Sequence, residues 1–361
     1  MTFTILSDTD IRTLLHNLST SDAQRLAETL NQALSQYSSN NEAAYQPHRA
    51  NVIRPNGQVS LFMPATTPSS IGVKIVGVAP SRTPVPGEKP QPGLRSVLTI
   101  CNELGQAVGV LNAAELTAFR TALGSMLMYR FRKVTENVVV FGAGKQAEWH
   151  VRLAVLLKGQ DVRKITFVNR SNQRAEELVD FLKQSGVGEH IDMEVFTGGK
   201  EELRDLVTQA DVLFCTTPSI EPLFPSAWLT TETARKKGRF VSAIGSYRLD
   251  MQEIDPELLK AIADLSGPFA GLVHQGYIAV DSIKGCMEEA GELVAAGLKL
   301  EQIVEVGGMG GLRKESGVQK WLQEGFVVYK SVGVGIMDIA IGRALMEVAK
   351  EKGIGMHLDN F

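Results

Sequence analysis

The segment Val138-Val139-Val140-Phe141-Gly142-Ala143-Gly144-Lys145-Gln146-Ala147 constrains this chain more than any other. An apolar run with the texture of a buried strand leads straight into G-x-G-x-x-A, where a helix has to begin. In that setting Gly142 permits the tight turn, Gly144 lets the backbone approach a pyrophosphate, and Ala147 allows close helix packing. The helix start at Lys145 and Gln146 offers free N–H groups and a partial positive charge to a phosphate. Strand and helix patterns then alternate. Ile165–Val168, a helix over Arg174–Lys183, Met193–Phe196, a helix near Glu201–Val207, Val212–Cys215 and Phe240–Ile244 follow in order. This pattern predicts the α/β class, a doubly wound parallel sheet of Rossmann type that binds a dinucleotide.

The end of the second strand selects the dinucleotide. An acidic residue there normally holds the ribose 2′-hydroxyl of NAD, but this chain has Val168-Asn169-Arg170-Ser171. A guanidinium beside an amide and a hydroxyl suits a 2′-phosphate, and no carboxylate repels it, so NADPH is expected over NADH. Thr216, Thr217 and Pro218 close the fourth strand, where a backbone turn over the dinucleotide is expected.

The flanking sequence has a different texture. Asp8 to Tyr37 reads as two short helices parted at Ser19–Asp22, and Gln46 to Val78 as antiparallel strands turning at Pro55-Asn56-Gly57. Ala79–Arg95 carries five prolines and reads as a surface loop bordering a site. Ser96–Cys101 and Ala107–Leu111 form another hairpin. Asn112–Arg132 reads as a linking helix with Asn112 as N-cap and Glu115 completing a capping box. Past Asp281 a helix over Met287–Ala296 and a glycine-rich stretch, Gly307–Gly311, precede a long last helix over Gly335–Lys352, expected to return to the first domain.

Composition removes several classes of function. With 361 residues, 44% apolar and 21% charged, the chain suits about two folded domains. Its 37 Lys and Arg against 40 Asp and Glu leave no basic surplus for a nucleic acid. No long apolar run or basic leader favours membrane insertion or secretion, and three distant cysteines (Cys101, Cys215, Cys286) suit reduced thiols in the cytoplasm. The six histidines are dispersed without metal-ligand spacing, so no metal is expected.

Three cations stand in apolar settings. Lys74 lies within Ile71-Gly72-Val73-Lys74-Ile75-Val76-Gly77-Val78, and Arg120 falls in the stripe made by Leu116, Phe119, Leu123 and Leu127. Burying either charge is costly unless an anion meets it. With Arg49, which precedes the Asn-Gly hairpin, they would form a clamp for a substrate carboxylate, and Thr121 and Ser331 would add neutral donors. The alternative is that each cation pairs with an acid of the protein itself.

These segments resemble the ornithine cyclodeaminase and mu-crystallin family over nearly the whole length. The resemblance rests on Arg49, Phe62-Met63-Pro64, Gly72-Val73-Lys74, Leu116-Thr117-Ala118-Phe119-Arg120-Thr121-Ala122, the Gly142–Ala147 loop, Asn169-Arg170-Ser171, Ile244-Gly245-Ser246 and Lys330-Ser331-Val332-Gly333. It implies a homodimer pairing sheets across a two-fold axis, a Rossmann domain holding a nicotinamide coenzyme, and Arg49, Lys74 and Arg120 around the substrate carboxylate. Residues 1–131 with 322–361 would form an α+β substrate-binding and dimerisation domain, and 132–321 the Rossmann domain.

Where cyclodeaminases carry a catalytic Asp after the fifth strand of that domain, this chain has Gly245-Ser246-Tyr247-Arg248-Leu249-Asp250. Tyr247 near that position, and Asn169-Arg170-Ser171, resemble the ketimine reductase branch. The activity implied is NADPH-dependent reduction of cyclic ketimine carboxylates such as Δ1-pyrroline-2-carboxylate or Δ1-piperideine-2-carboxylate. Lys74 and Arg120 would be catalytic, Tyr247 would help bind substrate, and Thr121, Ile244, Ser246 and Ser331 would help bind coenzyme. Ornithine cyclodeamination, an alanine dehydrogenase-like activity and a non-enzymatic NADPH-gated binding protein are the alternatives.

Overall fold

Two serine hydroxyls start the first helices of the computed structural model, which describes residues 2–79, 94–359 and 361. The Pro-rich loop expected over Ala79–Arg95 lies, apart from its ends, outside the described residues. After strand β1 (Thr2–Leu6), Ser7 and Asp10 exchange side-chain and backbone hydrogen bonds and open α1 (Asp8–His16). Ser19 and Asp22 repeat the device for α2 (Thr20–Ser39). The second helix is longer than the pair of short helices expected, because Ala23, Leu26, Leu30, Leu34 and Tyr37 keep one stripe buried throughout.

Strands β2 (Ala50–Ile53), β3 (Val59–Thr67), β4 (Ser70–Val78), β5 (Leu94–Asn102) and β6 (Ala107–Asn112) then form a continuous antiparallel run. Gly57, at φ +82°, makes the first turn. Helix α3 (Ala114–Tyr129) starts later than expected: Asn112 still belongs to β6, and its Oδ1 accepts from the Ala114 N–H at 3.1 Å.

Beyond α3 the expected alternation appears: β7 (Asn137–Phe141), α4 (Lys145–Lys158), β8 (Lys164–Val168), α5 (Asn172–Gln184), β9 (Asp192–Val195), α6 (Lys200–Gln209), β10 (Val212–Cys215), α7 (Glu232–Arg235) and β11 (Arg239–Ala243). The chain continues through α8 (Pro256–Ala263), β12 (Ile278–Val280), α9 (Ile283–Glu289), α10 (Gly291–Ala296), β13 (Ile303–Glu305), α11 (Ser316–Glu324) and β14 (Phe326–Lys330). The single helix expected over Met287–Ala296 is broken at Ala290, whose backbone is extended. Strands β12 and β13 are too short to show an alternating pattern, which is why the sequence did not announce them.

All eight strands of this sheet are parallel, in the order β13-β12-β14-β11-β10-β7-β8-β9. Succession reverses at β7, so a crevice opens at the carboxyl ends of β7 and β10, where doubly wound sheets bind ligands. Both faces of β7 and β10 are buried, as parallel strands under two helical layers require.

The chain ends with α12 (Gly335–Lys352) and β15 (Met356–Asp359). Strand β15 pairs with β1, and β1 lies parallel to β6, giving the first sheet the order β15-β1-β6-β5-β4-β3-β2. Two compact units result: Met1–Arg120 with Gly335–Phe361, and Thr121–Val334. The last helix, α12, falls in the first unit. Both boundaries differ from those read in the sequence. Residues 322–334 go with the second unit because β14 pairs with β11 and β12. The end of α3 goes there too, since Tyr129 packs its ring on Phe214 and Phe240. Among the described residues no helix is long and apolar enough to cross a membrane.

Candidate functional site

Lys74 is buried because strand alternation leaves it no choice. Ser70, Gly72, Lys74 and Val76 share one face of β4, and all four are buried, while Ile71 and Ile75 on the other face are exposed. Helix α12 covers the buried face closely. A Cβ on Gly72 would stand 3.1 Å from Ile339, and one on Gly342 would stand 2.6 Å from Leu98. That approach brings Asp338, one residue before Ile339, onto the row where Met63, Lys74 and Leu98 are paired.

Asp338 meets both expected cations. Lys74 Nζ lies 2.8 Å from Asp338 Oδ2, and Arg120 Nε donates to Oδ1 at 2.9 Å. All three side chains are 4% exposed or less. Burial pushes the Asp338 carboxyl up, but the charges of Arg120 and Lys74 outweigh it and hold the group below its ordinary value. Burial pulls the Lys74 ammonium down to about 8, with Asp338 drawing it back up and Arg120 and Arg49 pressing it further down.

For Lys74 and Arg120, therefore, the alternative weighed in the sequence is realised: the protein supplies an acid. One carboxylate shared by two cations still leaves a positive excess in a buried place, and Arg49, exposed just before β2, adds to it. The sequence signal for Asp338 is the same as for Lys74, a charge amid apolar residues in Ile336-Met337-Asp338-Ile339.

In the second unit, the glycine loop lines a cleft of about 540 Å³ with Asn169, Arg170, Arg174, Thr216 and Thr217. Gly142 has φ +116°, and a Cβ there would stand 2.6 Å from Thr216 Oγ1. Thr216 donates both its N–H and its hydroxyl to the Phe141 carbonyl. Gly144 is the opposite case: a Cβ would meet nothing within 4 Å, so its small size keeps space open in front of α4. No side chain caps that helix start, and Ala147 is fully buried behind it. The lining therefore fits a dinucleotide, whose pyrophosphate the open helix start after Gly144 would hold, with the end of β8 at the ribose.

The neighbouring residues take distinct parts. Asn169 donates to the Ser171 carbonyl at 2.8 Å, and Ser171 caps α5 by accepting from the Arg174 N–H. The guanidinium groups of Arg170 and Arg174 form no ion pair among the described residues, and Arg174 was not anticipated. Lys145 pairs with Glu148 at 3.0 Å, which also accepts from Arg152. Gln146 uses its carbonyl to accept from His150 Nδ1 at 2.7 Å, so Nε2 is the acceptor for the Ser125 hydroxyl, which in turn contacts Ser242. Burial lowers His150 to about 4 and keeps it neutral.

Two expected coenzyme contacts are occupied within the protein. The Ser246 hydroxyl donates to Glu292, and its oxygens accept from Lys330 at 2.6 Å. The Ser331 hydroxyl donates to Asp281 at 2.6 Å, and Asp281 also accepts from the Gly333 N–H. Both serines are buried, with their hydroxyls directed to these acids. Ile244 donates its N–H to the Cys215 carbonyl. Thr121 is buried, and Tyr247 is 53% exposed beyond β11.

The chain is 24% identical over 336 residues to a Δ1-pyrroline-2-carboxylate reductase of Bacillus cereus, with 91% of this chain and 92% of that one aligned. Two solved structures share the fold. The Δ1-pyrroline-2-carboxylate reductase of Thermococcus litoralis, in complex with NADH and L-proline, superposes with a TM-score of 0.72 at 19% identity, covering 98% of this chain and 99% of the other. An archaeal alanine dehydrogenase dimer with bound NAD gives 0.72 at 20% identity, with full coverage of both chains. The fold is thus shared with these proteins, and with a family model matching residues 8–353 the chain belongs to the ornithine cyclodeaminase/mu-crystallin family.

Proposed function

We propose that this protein is an NADPH-dependent reductase of cyclic ketimine carboxylates, giving products of the proline or pipecolate type. The observation that carries the reading is the buried positive excess at Lys74, Arg120 and Asp338, which suits a small anion and holds an ammonium whose proton is lost at about 8. Arg49 and Arg120 bind the substrate carboxylate. Lys74 gives its proton to the ring nitrogen, directly or through water, because a protonated C=N carbon accepts hydride far more readily than a neutral one. When bound, the reduced nicotinamide supplies the hydride. Positioning is the remaining requirement, since the reacting atoms must be held about 3–3.5 Å apart.

Arg170 and Arg174, both unpaired and both lining the cleft, support NADPH over NADH. Tyr247 near the position where cyclodeaminases carry their Asp argues against a second amine attack, which needs a base there. Exposed Val52, Phe62, Ile71 and Ile75 share the sheet face opposite α12, an apolar patch that supports a homodimer through this sheet. Oxidation of NADPH with Δ1-pyrroline-2-carboxylate and Δ1-piperideine-2-carboxylate is the test, run beside pyruvate with ammonia, and ornithine with NAD. Turnover of the cyclic imines is expected to exceed the others. Ammonia release from ornithine, or no turnover of any of them, would overturn it.

A further inference from the structure

Behind one wall of the cleft lies a carboxylate that the proposed reaction does not use. Glu253 is fully buried, and its two oxygens accept from two backbone amides: Thr217 N–H at 2.6 Å on Oε1 and Gly245 N–H at 2.6 Å on Oε2. These amides lie two residues past the ends of β10 and β11, and the two loops are in close contact, since a Cβ on Gly245 would stand 2.1 Å from the Thr217 carbonyl. The Glu253 carbonyl also accepts from Leu223 N–H at 2.9 Å. Thr217 and Leu223 both line the cleft, so one residue ties two points of its wall to each other and to Gly245 behind them.

We propose that Glu253 is a positioning residue for the coenzyme, holding the Thr216–Leu223 wall in its binding shape only while ionised, so that coenzyme binding is coupled to the loss of one proton. The chemistry is that of the acceptor set. An ionised carboxylate accepts two N–H bonds, one on each oxygen, whereas the protonated group turns one oxygen into a donor facing an amide donor. The charged and titratable groups that act on Glu253 are Lys330 on β14, which favours ionisation, Glu292 on α10, which opposes it, and the Cys215 thiol on β10, itself pushed well up by burial. Burial raises Glu253 to about 7, which puts the transition where coenzyme binding is measured.

The inference rests on the reading that the cleft holds a nicotinamide dinucleotide, and titration calorimetry of the full chain with NADH and NADPH between pH 6 and 8 tests the two separately. NADH is the informative arm, because the 2′-phosphate of NADPH titrates near pH 6 on its own account. The NADH dissociation constant is expected to rise about tenfold from pH 8 to pH 6, with close to one proton released on binding at pH 6 as judged from two buffers of different ionisation enthalpy. This measurement needs no variant. Glu253→Gln is expected to bind weakly at every pH, with the slope and the proton release gone. Flat NADH affinity in the wild type, or a slope that survives in E253Q, would overturn the role of Glu253 while leaving the cleft reading intact. Failure of both dinucleotides to bind at any pH would remove the cleft reading and this inference with it.

Discussion

The two units handle their cations in opposite ways. In the first, Lys74 and Arg120 are buried and shared by Asp338, a third buried group that fixes their geometry before any ligand arrives. In the second, Arg170 and Arg174 stand exposed along the cleft with no acid between them. A buried cation is kept only where an anion offsets its desolvation, so the first arrangement suits chemistry that needs a fixed charge and a displaced proton affinity. An exposed guanidinium costs little to keep and gains most when a multiply charged phosphate arrives, which suits discrimination between ligands. On the proposed function, the first arrangement acts on a small anion and the second chooses between coenzymes.

Replacing Lys74 with Met is the harshest attack on that contrast. Turnover is expected to fall about a thousandfold, in the range of a lost general acid, while NADPH affinity measured by fluorescence stays within about twofold. Comparable losses in both quantities would end the division of labour. Gly144→Val comes next. Because a Cβ there meets nothing, thermal stability is expected to hold while coenzyme affinity drops by about a hundredfold, as a phosphate approaching backbone amides requires; an unchanged affinity would make the loop a simple turn.

Smaller effects sharpen the picture. Arg170→Ala and Arg174→Ala are each expected to weaken NADPH by about tenfold and NADH by less than twofold, the loss of one charge-assisted contact to the 2′-phosphate. Equal losses for both coenzymes would deny the specificity role. The subtlest test is the pH profile. With Lys74 losing its proton at about 8, turnover falls as pH rises through that value. Asp338 raises the proton affinity of Lys74, so in Asp338→Asn the proton is lost sooner and the alkaline limb moves to lower pH. A limb that stays in place would mean that another group is the acid.

Particular residues show why parts of this molecule were legible in advance. The loop from Gly142 to Ala147 announced itself because its demands are local: a strand run, a positive φ, and a helix start lie within ten consecutive residues. Lys74 was conspicuous for a related reason, a charge in a run with no polar face. Its partner was less visible. Asp338 lies 264 residues further along the chain, and nothing in either segment says that α12 will lie on β4. Arg174 was overlooked because a charged residue in the first turn of an amphipathic helix looks like any solvated one. The acids that meet the Ser246 and Ser331 hydroxyls, Glu292 and Asp281, likewise come from distant segments that no local pattern announces.

Periodicity and the glycine motif by themselves determined the doubly wound sheet, its dinucleotide crevice and the presence of cations that need an anion, because each depends on neighbours within a few residues. Tertiary structure decided which acid answers those cations, which strands complete the parallel sheet, and which hydroxyls remain free. These are pairings across long sequence separations, fixed when α12 closes on the first sheet and β14 enters the second, and a buried charge acquires its proton affinity only from the groups that such packing brings to it.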